Sequence, residues 1–138
     1  MVIGVGNPTR GDDAAGIEVA KRVRSTTAYQ QSTGSYQMID LWDGADEVIV
    51  VDAARSGAPP GTIHRIDPTS QSLPEGMLAT STHSVGVAST IELARALGRL
   101  PDRVTVYGIE VSDLNRGVGL SPPVETAVDL VVEEIDHA

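Results

Sequence analysis

The run Val48-Ile49-Val50-Val51 constrains this chain more than any other stretch, being β-branched, unbroken and closed by a carboxylate, Asp52. A strand apolar at every position is buried on both faces, as in a parallel sheet covered by helices on either side. Met1 to Gly6 reads as a second buried strand and Val104 to Ile109 as another. Helical spacing fills the intervals. Asp13 to Arg24 places Gly16, Ile17, Ala20 and Val23 on one face, and Tyr36 to Trp42 predicts a short helix ended at Gly44. Ser81 or Thr82 caps a helix to about Leu97 with Val87, Ile91 and Ala94 inside. Ser121-Pro122 opens a last helix with Val124, Val128, Val131 and Ile135 at core spacing.

Two further segments set the edges. Thr27-Ala28-Tyr29 has room for only a short edge strand, and Thr62 to Ile66 alternates directly after the rigid turn Arg55 to Gly61. That connection is too short for a helical crossover, so this strand is expected antiparallel at an edge. The expectation is one α/β domain over residues 1–138. It is a three-layer sandwich with a mostly parallel twisted sheet of about five strands, one antiparallel edge strand, and helices on both faces.

Composition narrows the function. A net charge of -9 argues against a nucleic-acid partner, whose backbone such a surface repels. With no cysteine there is no thiolate nucleophile, disulfide framework or Cys-type zinc site. No apolar stretch approaches a membrane span, and the N-terminus leads straight into a strand, so a soluble cytoplasmic protein is expected.

Chemistry in open α/β sheets sits past the strand ends, so the turn Gly6-Asn7-Pro8-Thr9-Arg10-Gly11-Asp12-Asp13 is the first place to look. Its glycines do not spell the dinucleotide pattern, because Thr9 occupies the third glycine's place, and no Gly-Lys-Ser/Thr follows to make a P-loop. Asp12 and Asp13 are adjacent and do not face each other, which disfavours a proton-sharing dyad. One carboxylate can cap the helix while the other faces the crevice. Asp52 joins them if the strands carrying it and the opening turn are neighbours at the topological switch point. Of the three histidines, His64 and His137 read as surface residues; His83 stands at a helix start, which favours neutral imidazole and thus a metal ligand. Two carboxylates and an imidazole form an open site for a first-row divalent ion such as Ni, Zn, Mn or Fe.

The stretch Gly4-Val5-Gly6-Asn7-Pro8 through Arg10-Gly11-Asp12-Asp13 to Gly16 resembles the opening motif of the hydrogenase maturation proteases. The resemblance continues at Val50-Val51-Asp52-Ala53, Gly57 to Thr62 and Thr82-His83-Ser84-Val85-Gly86. It resumes at Gly108-Ile109-Glu110 and Gly119-Leu120-Ser121-Pro122, in family order along nearly the whole chain. Thr9 and Ala14 depart from it, standing where a bulky apolar residue and a glycine are usual. The resemblance implies an endopeptidase that trims the C-terminal extension of the [NiFe]-hydrogenase large-subunit precursor once nickel is inserted. It assigns the metal contacts to Asp13, Asp52 and His83. How the bond is cut stays open: either a carboxylate, Asp13 or Asp52, activates water while the nickel orients the carbonyl, or the metal only positions the partner and Asp13 acts as base unaided. The nickel is the substrate's own, and no organic cofactor is implied. Asn7 would shape the turn and Asp12 would cap the helix or support Asp13. A monomer working on a much larger partner is expected. Other readings are a related peptidase with another protein substrate, and a non-catalytic nickel-delivery or chaperone module that binds the precursor.

Overall fold

The computed structural model describes residues 1–73, 77–78, 86–112, 114 and 117–138. Five strands form one sheet: β1 (Val2–Val5), β2 (Ala28–Gln31), β3 (Glu47–Ala54), β4 (Ile63–Ile66) and β5 (Arg103–Glu110), in the order β2-β1-β3-β5-β4. β1 pairs in parallel with β2 and β3, and β3 in parallel with β5. Of these five strands, β4 at the edge is antiparallel, to β5. The architecture expected from the strand patterns is therefore the one observed.

The sheet residues divide by parity between two cores. Ile3, Val5, Val48, Val50, Val104 and Val106 pack with α2 (Tyr36–Trp42) and α3 (Val87–Ala96), through Met38, Ile39, Trp42, Ile91 and Ala94. Val2, Val51, Tyr107 and Ile109 face α1 (Ala15–Arg22) and α4 (Pro122–Asp136), through Val19, Val124, Val128 and Val131. Trp42 is fully enclosed and donates its indole N–H to the Arg99 carbonyl at 2.9 Å, so both Trp42 and the buried Tyr107 serve the core.

Helix α1 lies unusually close to the sheet. A Cβ on Gly16 would stand 2.2 Å from the Val51 carbonyl oxygen and 2.5 Å from that of Val5, and one on Gly4 would stand 2.1 Å from the Gly16 oxygen. Both positions are therefore closed to any side chain.

Three boundaries differ from the periodicity. The helix expected from Asp13 to Arg24 begins instead as a 3-10 turn, Gly11–Ala14, and is α-helical only from Ala15 to Arg22. The edge strand runs Ala28–Gln31, two residues beyond its expected end at Tyr29. The helix expected from Ser81 or Thr82 is described from Val87, after an extended Gly86 (φ -77, ψ 171). Ser81 and Thr82 themselves lie outside the described residues.

Candidate active site

The sheet order puts the ends of β1 and β3 side by side, with α1 leaving on one face and α2 on the other. Such a switch point opens a crevice past the strand ends. Here its walls come from Val5, Gly6, Arg10 and Asp13 after β1, from residues 32–34 after β2, and from Asp52 and Arg55 at the end of β3. Gly86 and Val87 at the start of α3, with Leu114, complete it. The enclosed volume, about 70 Å³, suits an ion or one side chain rather than an organic cofactor.

The turn that presents Asp13 is tied by its own backbone. Arg10 N donates to the Asn7 carbonyl at 3.2 Å, Asp13 N to the Arg10 carbonyl at 3.0 Å, and Asn7 N to the Asp13 carbonyl at 3.3 Å. Asn7 Oδ1 accepts from both the amide and the hydroxyl of Thr9, at 3.0 and 2.8 Å, an Asx-type brace. Burial raises the Asp13 carboxyl above its ordinary range, against the lowering pull of Arg10 and the Asn7 amide. Asp52 is enclosed at 2% exposure and accepts one hydrogen bond, from Ala53 N at 2.8 Å. Burial lifts it well above the usual range; the Ala53 amide opposes this, and the negative charge of Asp13 adds to it. The two carboxyls therefore share one field, with Asp52 the stronger holder of a proton.

Asp12 does not cap the helix, since no side chain caps either the 3-10 turn or α1. Its carboxylate is buried at 1% exposure and accepts from Ser112 N at 2.9 Å, Ser121 N at 2.7 Å and Ser121 Oγ at 2.7 Å. It fastens the opening turn to the chain after β5 and to the entry of α4. Ser112 and Ser121 lie 100 and 109 residues away, a distance no local pattern can bridge.

His83 lies outside the described residues. Among the described residues no group of three or more His, Asp or Glu side chains is placed to hold a metal ion. Asp13 and Asp52 on their own offer hard oxygen donors whose mutual repulsion a divalent cation would relieve.

His64, expected at the surface, is instead drawn inward at 22% side-chain exposure to a buried carboxylate. Glu110, 3% exposed, receives Ser56 N at 3.1 and 3.0 Å, Ser56 Oγ at 2.6 Å and His64 Nε2 at 3.1 Å. Burial pushes Glu110 up, but the hydrogen bonds from Ser56, His64 and Gly57 outweigh it and hold the carboxylate below its ordinary range. The three residues do not make a nucleophile relay. Ser56 Oγ and Glu110 Oε1 both approach the same ring nitrogen, and Ser56 donates to Glu110 directly. A relay needs the imidazole to bridge base and nucleophile through its two different nitrogens.

The model of the family "Hydrogenase maturation protease" matches residues 30–138 of this chain. The hydrogenase expression/formation protein HupD of Rhodobacter capsulatus is 26% identical over 142 residues, covering 97% of this chain and 68% of its own length. The hydrogenase 2 maturation protease of Escherichia coli is 23% identical over 144 residues, covering 98% and 87%. Among solved structures, the [NiFe] hydrogenase maturation protease HybD from Thermococcus kodakarensis superposes with a TM-score of 0.80 at 21% identity, covering 99% of this chain and 95% of its own. The hydrogenase maturating endopeptidase HybD from E. coli gives 0.76 at 23%, covering 97% and 87%. These two structures share its fold.

Proposed function

The chain belongs to the hydrogenase maturation protease family, and from that premise we propose that it removes the C-terminal extension of a [NiFe]-hydrogenase large-subunit precursor after nickel insertion. Asp13, Asp52 and His83 contact the nickel carried by the precursor. The observation that supports this reading is the meeting of Asp13 and Asp52 on one ion-sized crevice, with Asp52 buried and proton-holding. Gly86, three residues after His83 in sequence, lines the same crevice.

A precursor without metal meets two carboxyls that repel each other and bind a proton. A precursor presenting a divalent cation relieves that repulsion and displaces the proton, so docking discriminates between the two. Once docked, Asp13, the more open of the pair, takes a proton from water attacking the scissile carbonyl. The substrate's nickel orients or polarises that carbonyl. The protein acts as a monomer, in the cytoplasm.

Incubation with nickel-loaded and nickel-free precursor, followed by mass spectrometry, is the direct test. A C-terminal peptide released only from the nickel-loaded form is expected, and Asp13→Asn and His83→Ala should abolish it with circular dichroism unchanged. Cleavage of both precursor forms at equal rates would remove the nickel contact. Binding without any cleavage would favour a delivery module.

A further inference from the structure

One cation on the crevice is left unused by the carboxylates. Asp13 already has Arg10, whose Nε also donates to the Leu114 carbonyl at 3.3 Å. Arg55 lines the same crevice, and its guanidinium makes no ion pair or side-chain hydrogen bond among the described residues. Lys21, Arg22, Arg65, Arg95, Arg99 and Arg103 pair with acidic side chains, whereas Arg55 shares its unpaired state with Arg24 but, unlike Arg24, lines the crevice.

The backbone around Arg55 is held far more firmly than an exposed loop requires. Arg55 N donates to the Met77 carbonyl at 2.7 Å, and the next residue, Ser56, is clamped on Glu110 by its amide and its hydroxyl. Glu110 is paired with Ala54 in the β3–β5 register, so the clamp sits at the strand end from which Arg55 leaves. Burying a carboxylate is costly unless hydrogen bonds replace its water, and here Ser56, Gly57 and His64 supply them. That arrangement stiffens the loop at the residue that carries the free charge.

We propose that Arg55 is the anion-binding element of this crevice, its guanidinium taking a carboxylate of the protein chain being cut, with Glu110 as its positioning residue. The proposal rests on the protease reading above. The chemistry favours a carboxylate because the guanidinium fork matches two oxygens at once. An acidic substrate segment also needs a cation at the mouth of a site built on Asp13 and Asp52, in a chain of net charge -9. The carboxylate belongs either to an acidic side chain of the extension or to its C-terminus.

The test uses the full chain and nickel-loaded precursor, with binding followed by titration calorimetry beside cleavage. Arg55→Ala should weaken binding and raise KM by about tenfold or more, as expected for a lost charge-assisted contact, with most of the loss in KM rather than kcat. Arg55→Lys should restore part of it. Glu110→Gln and, where that variant folds poorly, Ser56→Ala should shift KM in the same direction, and neither should add to Arg55→Ala. Two altered precursors separate the sources: one with the extension's acidic side chains changed to amides, one with two glycines appended to move the terminal carboxylate. The Arg55→Ala effect should vanish on whichever lacks the recognised group. Unchanged binding and KM in Arg55→Ala overturns the proposal, as does an effect that survives on both altered precursors. Failure of the wild type to cut counts against the protease reading, while the binding arm still scores Arg55.

Discussion

At the scale of single residues, the acidic side chains of this chain divide sharply by what meets them. Asp12 and Glu110 are buried and saturated with donors, so each works as a fastening. Asp52 is equally buried but has a single amide donor and a negative neighbour. Its folded form binds a proton more tightly than its unfolded form, so its contribution to stability is lost as pH rises from 3.8 through its raised folded value. Asp52→Asn keeps an oxygen for the Ala53 amide and has nothing to ionise. Calorimetric Tm for this variant should match the wild type below the ordinary carboxylate range and exceed it increasingly toward neutral pH, while processing is lost. A Tm difference that does not grow with pH would contradict the assignment. Asp13 and Asp52 were legible as residues of interest because one stands at a strand-to-helix turn and the other closes a strand-like run. Of the two roles open to Asp12, a cap or a support for Asp13, the cap is not formed, because its partners Ser112 and Ser121 are remote in sequence. His64 was misjudged for a related reason: the alternating pattern of Thr62 to Ile66 reveals an edge strand but not which strand it joins. The register of His64 with Gly108 sets it diagonally across from Glu110, within side-chain reach.

At the scale of elements, the contact of α1 with β1 and β3 decides where the opening turn points. Gly4 and Gly16 allow backbone to touch backbone there, and Gly16 read from periodicity was merely an inward helix position. Gly16→Ala puts a methyl group within 2.2 Å of a main-chain oxygen that has no freedom to move aside. It should destabilise by about 2–4 kcal/mol in urea titration despite alanine's better helix propensity, and lower processing by displacing Asp13. A neutral or stabilising result would mean that α1 can lift from the sheet. The starts of α1 and α3 were less legible than those of α2 and α4, which begin where the sequence places them. The opening 3-10 turn carries Asp12, held by Ser112 and Ser121 from far along the chain, and α3 begins directly after the extended Gly86.

At the scale of the molecule, two cores share one sheet, so neither helical layer has a core of its own without the strands. Unfolding should therefore be a single cooperative event. Fluorescence of Trp42, buried under one face, and far-UV circular dichroism should give coincident denaturant transitions. Separate midpoints would show that the layers come apart independently. Among the described residues no helix is long and apolar enough to cross a membrane. The sequence by itself determined the sheet's class and its strand succession, because an apolar run such as Val48–Val51 can be satisfied only between two helical layers. It also carried the family motifs and, through a strand-to-helix turn and a strand end, the two carboxylates at the crevice. Tertiary structure alone decided that Asp12 is a fastening, that Glu110 gathers Ser56 and His64, and that Arg55 has no charged partner among the described residues. Those outcomes depend on which remote donors arrive at each carboxylate, and hydrogen bonding across strands and loops leaves no periodic trace in the chain.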